Sequence, residues 1–137
     1  MVINGKFDDD FFPYIDLQVL HTKKKLSAIV KAIIDTGAAH CMIQEDLAKQ
    51  LELEVLRTAD YRHPILGKMP LIEYTMDLCF NNEDRCVAKI EGVRAGTLVD
   101  TQYPAAVIIG VEVLKKCIIT YDGPAQVFTL QFSPPRS

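Results

Sequence analysis

An apolar run over residues 29–34 ends on the triplet Asp35-Thr36-Gly37, followed by Ala38 and Ala39. The β-branched residues of the run favour a buried strand. Asp35 therefore stands where a packed strand opens into a loop, held by a rigid scaffold yet able to meet solvent or substrate. Gly37 permits a backbone conformation or a close approach that a Cβ would forbid. Thr36 brings a hydroxyl that can bond to nearby main chain.

Asp35-Thr36-Gly37-Ala38 after Ile33-Ile34 resembles the active-site loop of the retroviral-type (retropepsin-like), single-domain aspartic proteases. A second element strengthens the likeness. Ala106-Val107-Ile108-Ile109-Gly110, followed by Val111-Glu112-Val113-Leu114, is similar to the family's apolar-apolar-Gly motif and the short helix after it. The interval of about 75 residues suits one lobe rather than two. The resemblance spans residues 13–132. It implies an all-β, closed barrel-like acid-protease half-lobe with one or two short helices, filling residues 1–137 as one domain and acting as a homodimer.

Size and composition agree with one globular unit. The chain has 137 residues, 24% of them charged, which argues against disorder. The net charge is −3 and there is no long basic block, so a nucleic-acid partner is not expected. Lys23-Lys24-Lys25 lies between two apolar runs and reads as a solvated turn. Residues 1–10 hold Asp8-Asp9-Asp10 where a secretory leader would need apolar residues. No stretch approaches the roughly 20 apolar residues of a membrane span. A cytoplasmic protein without a membrane partner is expected. Cys41, Cys79, Cys86 and Cys117 show no paired metal-ligand spacing, and His21, His40 and His63 are scattered, so neither a metal nor a cofactor is expected. Cys79 and Cys86 flank a turn at Asn81-Asn82-Glu83-Asp84 and can face each other; in a reducing cytosol they are expected to be thiols.

Further strands are expected over residues 14–20, 26–34, 41–43, 72–80, 85–93, 97–99, 105–109, 118–121 and 126–132, with Ala95-Gly96 as a loop. Helices are expected over residues 44–51 and 111–117. In the family, the interval 56–74 carries a flap, a hairpin that closes over bound peptide. Its tip is expected between Asp60 and Gly67. Pro64, Arg62 and His63 depart from the glycine-rich tip of retroviral relatives. Leu98-Val99-Asp100-Thr101-Gln102 partly echoes the Asp35 loop, but Gln102 stands where glycine is required, so Asp100 is expected to be a loop residue.

The resemblance assigns catalysis to Asp35, with Thr36, Gly37, Ala38 and Gly110 supporting the loop. Ala39, Tyr61, Arg62 and His63 are implied to touch substrate. Peptide hydrolysis by this route needs two carboxylates sharing one proton, a case for which aspartic proteases are the standard example. The pair titrates as a unit. One chain supplies one such aspartate, so a two-fold homodimer is expected to bring two Asp35 residues together. Residues 127–132 and 1–12 are candidate interface segments. Ala38 cannot donate to the carboxylate as a hydroxyl residue would, which implies an activity optimum less acidic than that of pepsin-like enzymes. Ala39 lacks the carboxylate with which retroviral enzymes hold substrate main chain at this point, and Val111 replaces their arginine. His40 either tunes the charge of Asp35 or serves packing. The competing reading is a peptide-binding or dimerisation module that keeps the fold without turnover; excision from a longer polyprotein is a weaker third.

Overall fold

The computed structural model describes residues 2–65, 67–98 and 102–132. The echo at Asp100 lies outside the described residues. Eleven strands and two short helices follow one another as β1 (Val2–Asn4), β2 (Lys6–Phe7), β3 (Pro13–Leu20), β4 (Ser27–Ile34), β5 (Cys41–Gln44), α1 (Glu45–Gln50), β6 (Val55–His63), β7 (Gly67–Asn82), β8 (Arg85–Leu98), β9 (Val107–Ile109), α2 (Val111–Leu114), β10 (Cys117–Asp122) and β11 (Val127–Phe132). The fold class is all-β, as the sequence predicts.

Eight strands form one sheet in the order β2-β3-β4-β9-β5-β8-β7-β6, and β3 also pairs with β7. That extra pairing, from Leu17↔Phe80 to Leu20↔Asp77, closes the sheet on itself. Alternation drives it: Ile15, Leu17 and Val19 of β3 are buried while Asp16 between them is exposed. Where β4 runs parallel to β9, alternation stops. Ala32, Ile33 and Ile34 are all buried against Val107, Ile108 and Ile109, because a parallel segment is covered on both faces. The core gathers Phe80, Met76, Leu78, Ile43 and Val113 behind these strands.

The structure changes several expected boundaries. Ala95 and Gly96 are not a loop; β8 runs through them and pairs in parallel with β5, Cys41↔Ala95 and Met42↔Gly96. Gly96 marks a close approach rather than a break, since a Cβ there would sit 3.3 Å from Met42 Sδ and 3.5 Å from Leu71. The flap hairpin is regular from Thr58↔Ile72 to His63↔Gly67. Asp60, Tyr61 and Arg62 therefore lie in its strand, and the tip is confined to the residues after His63. Pro64 falls in that turn, where no ladder bond is lost, and Gly67 takes φ +76 to close it. Helix α2 is one turn, ending at Leu114, and Cys117 already belongs to β10.

Cys79 and Cys86 are joined as a disulfide, with Cα atoms 5.7 Å apart, against the expectation of thiols. The hairpin between β7 and β8 carries a bulge after Phe80, which sets Asn81 opposite Cys86 and brings the two sulfurs to one side.

The remaining strands form a three-stranded sheet in the order β1-β11-β10. Phe128, Leu130 and Phe132 of β11 point into the core, and Phe132 meets Phe80 with ring centroids 4.7 Å apart. β11 was an expected interface strand, yet both its edges are occupied, by β1 and by β10. Its backbone has no edge left to offer a second chain.

Candidate active site

Asp35 is the first residue after β4. Its N–H donates to Ile109 O of β9 at 3.0 Å, so the strand pairing continues into the loop. The carboxylate turns back on its own loop, where Oδ1 accepts the Gly37 N–H at 2.8 Å. Asp35 O accepts the Ala38 N–H at 3.2 Å. A Cβ on Gly37 would stand 3.2 Å from Oδ1, so glycine serves close approach at this point. Thr36 and Gly37 are exposed, and Asp35 itself is half-buried.

Gly110 locks the loop from the other side. A Cβ there would lie 2.5 Å from His40 O and 2.6 Å from Ala38 O, both main-chain atoms. The glycine lets α2 begin directly against the loop. Val111 N–H donates to Ala38 O at 2.8 Å and Glu112 N–H to Ala39 O at 3.2 Å. Asp35, Thr36, Gly37, Ala38, Ala39 and Gly110 are thus brought together, as the two sequence motifs predict. Tyr61, Arg62 and His63 lie apart from them on β6, at the outer end of the flap, where Arg62 is exposed.

Two neighbours of the loop were not singled out by sequence. Tyr103 feels charge from both the loop and the N-terminal segment. Its phenol is pushed above the ordinary value first by burial, then by the negative charges of Asp35 and Asp8. Asp8 is held below its usual range, mainly by the Phe12 N–H, with the Asp10 N–H and Lys31 adding to it against some burial. Nothing in the run Gln102-Tyr103-Pro104 signals this placement, because it depends on the return of the chain into β9. The second is Glu112. One of its carboxylate oxygens lies 3.5 Å from His40 Nδ1, and the other is buried with no hydrogen-bond partner among the described residues. His40 therefore pairs with α2. Cys41, fully buried behind the loop, is pushed up to about 11, chiefly by burial. Such a thiol stays protonated and unreactive.

Among the described residues no group of three or more His, Cys, Asp or Glu is placed to hold a metal ion. No helix is long and apolar enough to cross a membrane.

No protein-family model and no curated protein sequence matches the chain. Among solved structures, the chain is similar to a retropepsin-like aspartic protease from Rickettsia conorii. The two share 13% sequence identity with a TM-score of 0.62, over 96% of this chain and 88% of the other. At that identity the likeness speaks to architecture. From the Asp35 loop through the flap to the paired terminal strands, this chain has the fold of the retropepsin-like aspartic proteases.

Proposed function

We propose that the protein is a homodimeric aspartic endopeptidase, in which Asp35 and its symmetry mate activate a water against a peptide bond. The observation that carries this reading is the Asp35 loop: a carboxylate at the end of a buried strand, braced by Ile109 and by α2, in a retropepsin-like fold. Asp35 is the catalytic residue. Thr36, Gly37, Ala38 and Gly110 support its loop, and Ala39, Tyr61, Arg62 and His63 contact an extended peptide held between flap and floor. Such a peptide adds main-chain hydrogen bonds as a strand would. One carboxylate of the pair is ionised and takes the proton of the water. The other donates to the carbonyl oxygen. Residues 1–137 act as one domain, without a cofactor and without nucleic acid or membrane as partner.

The flap strands pair regularly up to His63, which gives a peptide a hairpin to bind under in either reading, so cleavage separates the enzyme from a silent binding module. Location in the cytoplasm is part of the proposal and has a direct check. The Cys79–Cys86 disulfide of the fold stands against a reducing compartment, so alkylation of cell extracts decides: thiols there keep the cytoplasmic reading and a disulfide there overturns it.

The test is cleavage of an unfolded protein mixture by purified protein and by Asp35→Asn. Loss of a positioned acid–base group lowers the rate by about 10²–10⁴-fold. A statine-type transition-state analogue should inhibit the unsubstituted protein. Cleavage that survives both treatments refutes the enzyme.

A further inference from the structure

In a protein of net charge −3, the ground beside the active-site loop exposes guanidinium groups over less exposed carboxylates. Three adjacent strands build it. Glu73 of β7 is nearly buried, its side chain 8% exposed, and accepts Arg57 Nε of β6 at 2.7 Å and Nη2 at 3.0 Å. Arg94 Nε of β8 lies 3.6 Å from the same carboxylate. The arginines are open to solvent, 60% and 47% exposed. His40, at the end of the Asp35 loop, directly precedes Cys41, which pairs in parallel with Ala95, so it stands beside Arg94 on the neighbouring strand. Its own side chain is 58% exposed above Glu112.

The negative groups therefore lie underneath and the positive ones on top. A guanidinium carries more N–H donors than Glu73 takes up, in a planar fork that suits a carboxylate. With Glu112 counted, two arginines stand over two glutamates and the charges balance, but the carboxylates are the less exposed groups, so the surface presents guanidinium N–H donors, and His40 adds a further donor. Arg57 and Glu73 belong to the base of the flap hairpin, and His40 to the floor. On the endopeptidase reading, the cluster spans the two walls between which an extended peptide would leave the active site.

We propose that Arg57, Arg94 and His40 recognise an acidic side chain of the peptide, a few residues from the bond placed over Asp35. This rests on the endopeptidase reading only for the path of the peptide. Glu73 is the positioning residue that holds the arginines in place.

The test uses binding rather than turnover. Fluorescent peptides, alike except for Asp, Asn or Lys scanned through the positions flanking one central bond, are titrated into Asp35→Asn protein. At one or two positions Asp should bind about tenfold tighter than Asn, as charge-assisted hydrogen bonds allow, and Lys weaker than both. The preference should shrink as salt rises. It should fall severalfold in the Arg94→Gln/His40→Gln variant, where Arg57 alone remains on Glu73, with folding checked by thermal melting. Equal affinity for Asp and Asn peptides at every position, no binding of any peptide, or a preference undiminished in the double variant overturns the proposal. Equal displacement by inorganic phosphate at matched ionic strength also overturns it, because the site is then a plain anion site. If the unsubstituted protein cleaves nothing while the Asp preference stands, the endopeptidase reading fails alone. Cleavage without charge preference fails the recognition site alone.

Discussion

Gly110 leaves no room for a side chain beside the Asp35 loop. Its backbone is extended, so the constraint is space rather than conformation. An added methyl would meet two carbonyl groups of the loop, and neither is the end of a flexible side chain. Either the loop or α2 must retreat, which breaks the Val111-to-Ala38 bond and moves Asp35 with it. Gly110→Ala should cost about 1–3 kcal/mol, as overpacking does elsewhere. Its effect on activity should exceed its effect on stability. Chemical denaturation and a cleavage assay on the same preparation check this; full activity in a folded Gly110→Ala protein would show that the loop is not braced there.

Glu73 makes a prediction about acid. The Arg57 hydrogen bonds hold its carboxyl below the ordinary value of 4.5, with Arg57, Arg94 and His40 charges in support and burial opposing. A group whose value is lowered by folding contributes stability above its unfolded value. That contribution fades as pH falls through the lower folded value. Glu73 therefore stabilises the fold fully at neutral pH and progressively less below about pH 4.5. Glu73→Gln should melt earlier than the unsubstituted protein at pH 7, and the gap should narrow by pH 3. Melting curves at the two values decide it. A gap that stays constant would mean that the shape of Glu73, not its charge, matters.

At the scale of elements, the disulfide ties β7 to β8 near the turn opposite the flap. The bridged residues are seven apart in sequence. Closing so short a loop in the unfolded chain stabilises by about 2 kcal/mol in the chain-entropy picture. Cys79→Ala/Cys86→Ala should therefore melt several degrees lower, while reductant should lower the melting point of the unsubstituted protein only. The pairing of these cysteines was half legible: the turn was read from Asn81-Asn82-Glu83-Asp84, but the oxidation state is a property of surroundings that no residue spells out. Other elements divide in the same way. The Asp35 strand and the Gly110 motif were readable because their chemistry admits few substitutes. Gly96 was misread because one residue type both breaks strands and allows close packing, and only the neighbour β5 decides between them. Pro64 falls in the turn of the flap, where its missing N–H costs no ladder bond. Tyr103 and the His40–Glu112 pair carry no local signal, since each depends on segments dozens of residues away.

At the scale of the molecule, one chain holds one Asp35, and the proposed mechanism needs two. The topology restricts where a second copy can join. Within the three-stranded sheet β11 is enclosed on both sides, so strand addition there is left to the outer strands β1 and β10. β10 is the better candidate. It follows α2 almost directly, and α2 is bonded to the Asp35 loop, so this edge is mechanically continuous with the site. Antiparallel pairing of two β10 strands about a two-fold axis would make one six-stranded sheet and cover Ile118, which is 54% exposed in the single chain. Ile118→Lys places like charges near each other across that junction, an arrangement that disfavours pairing. It should weaken self-association by about tenfold or more, corresponding to roughly 1.4 kcal/mol, and move activity to higher protein concentration. Ile29→Lys is the control: Ile29 is more exposed, at 67%, but lies on β4, whose neighbours are already paired. Sedimentation at graded concentrations reads both. If Ile118→Lys associates as before and Ile29→Lys does not, the second copy joins at a different face, and the acids of the two chains are not brought together by β10.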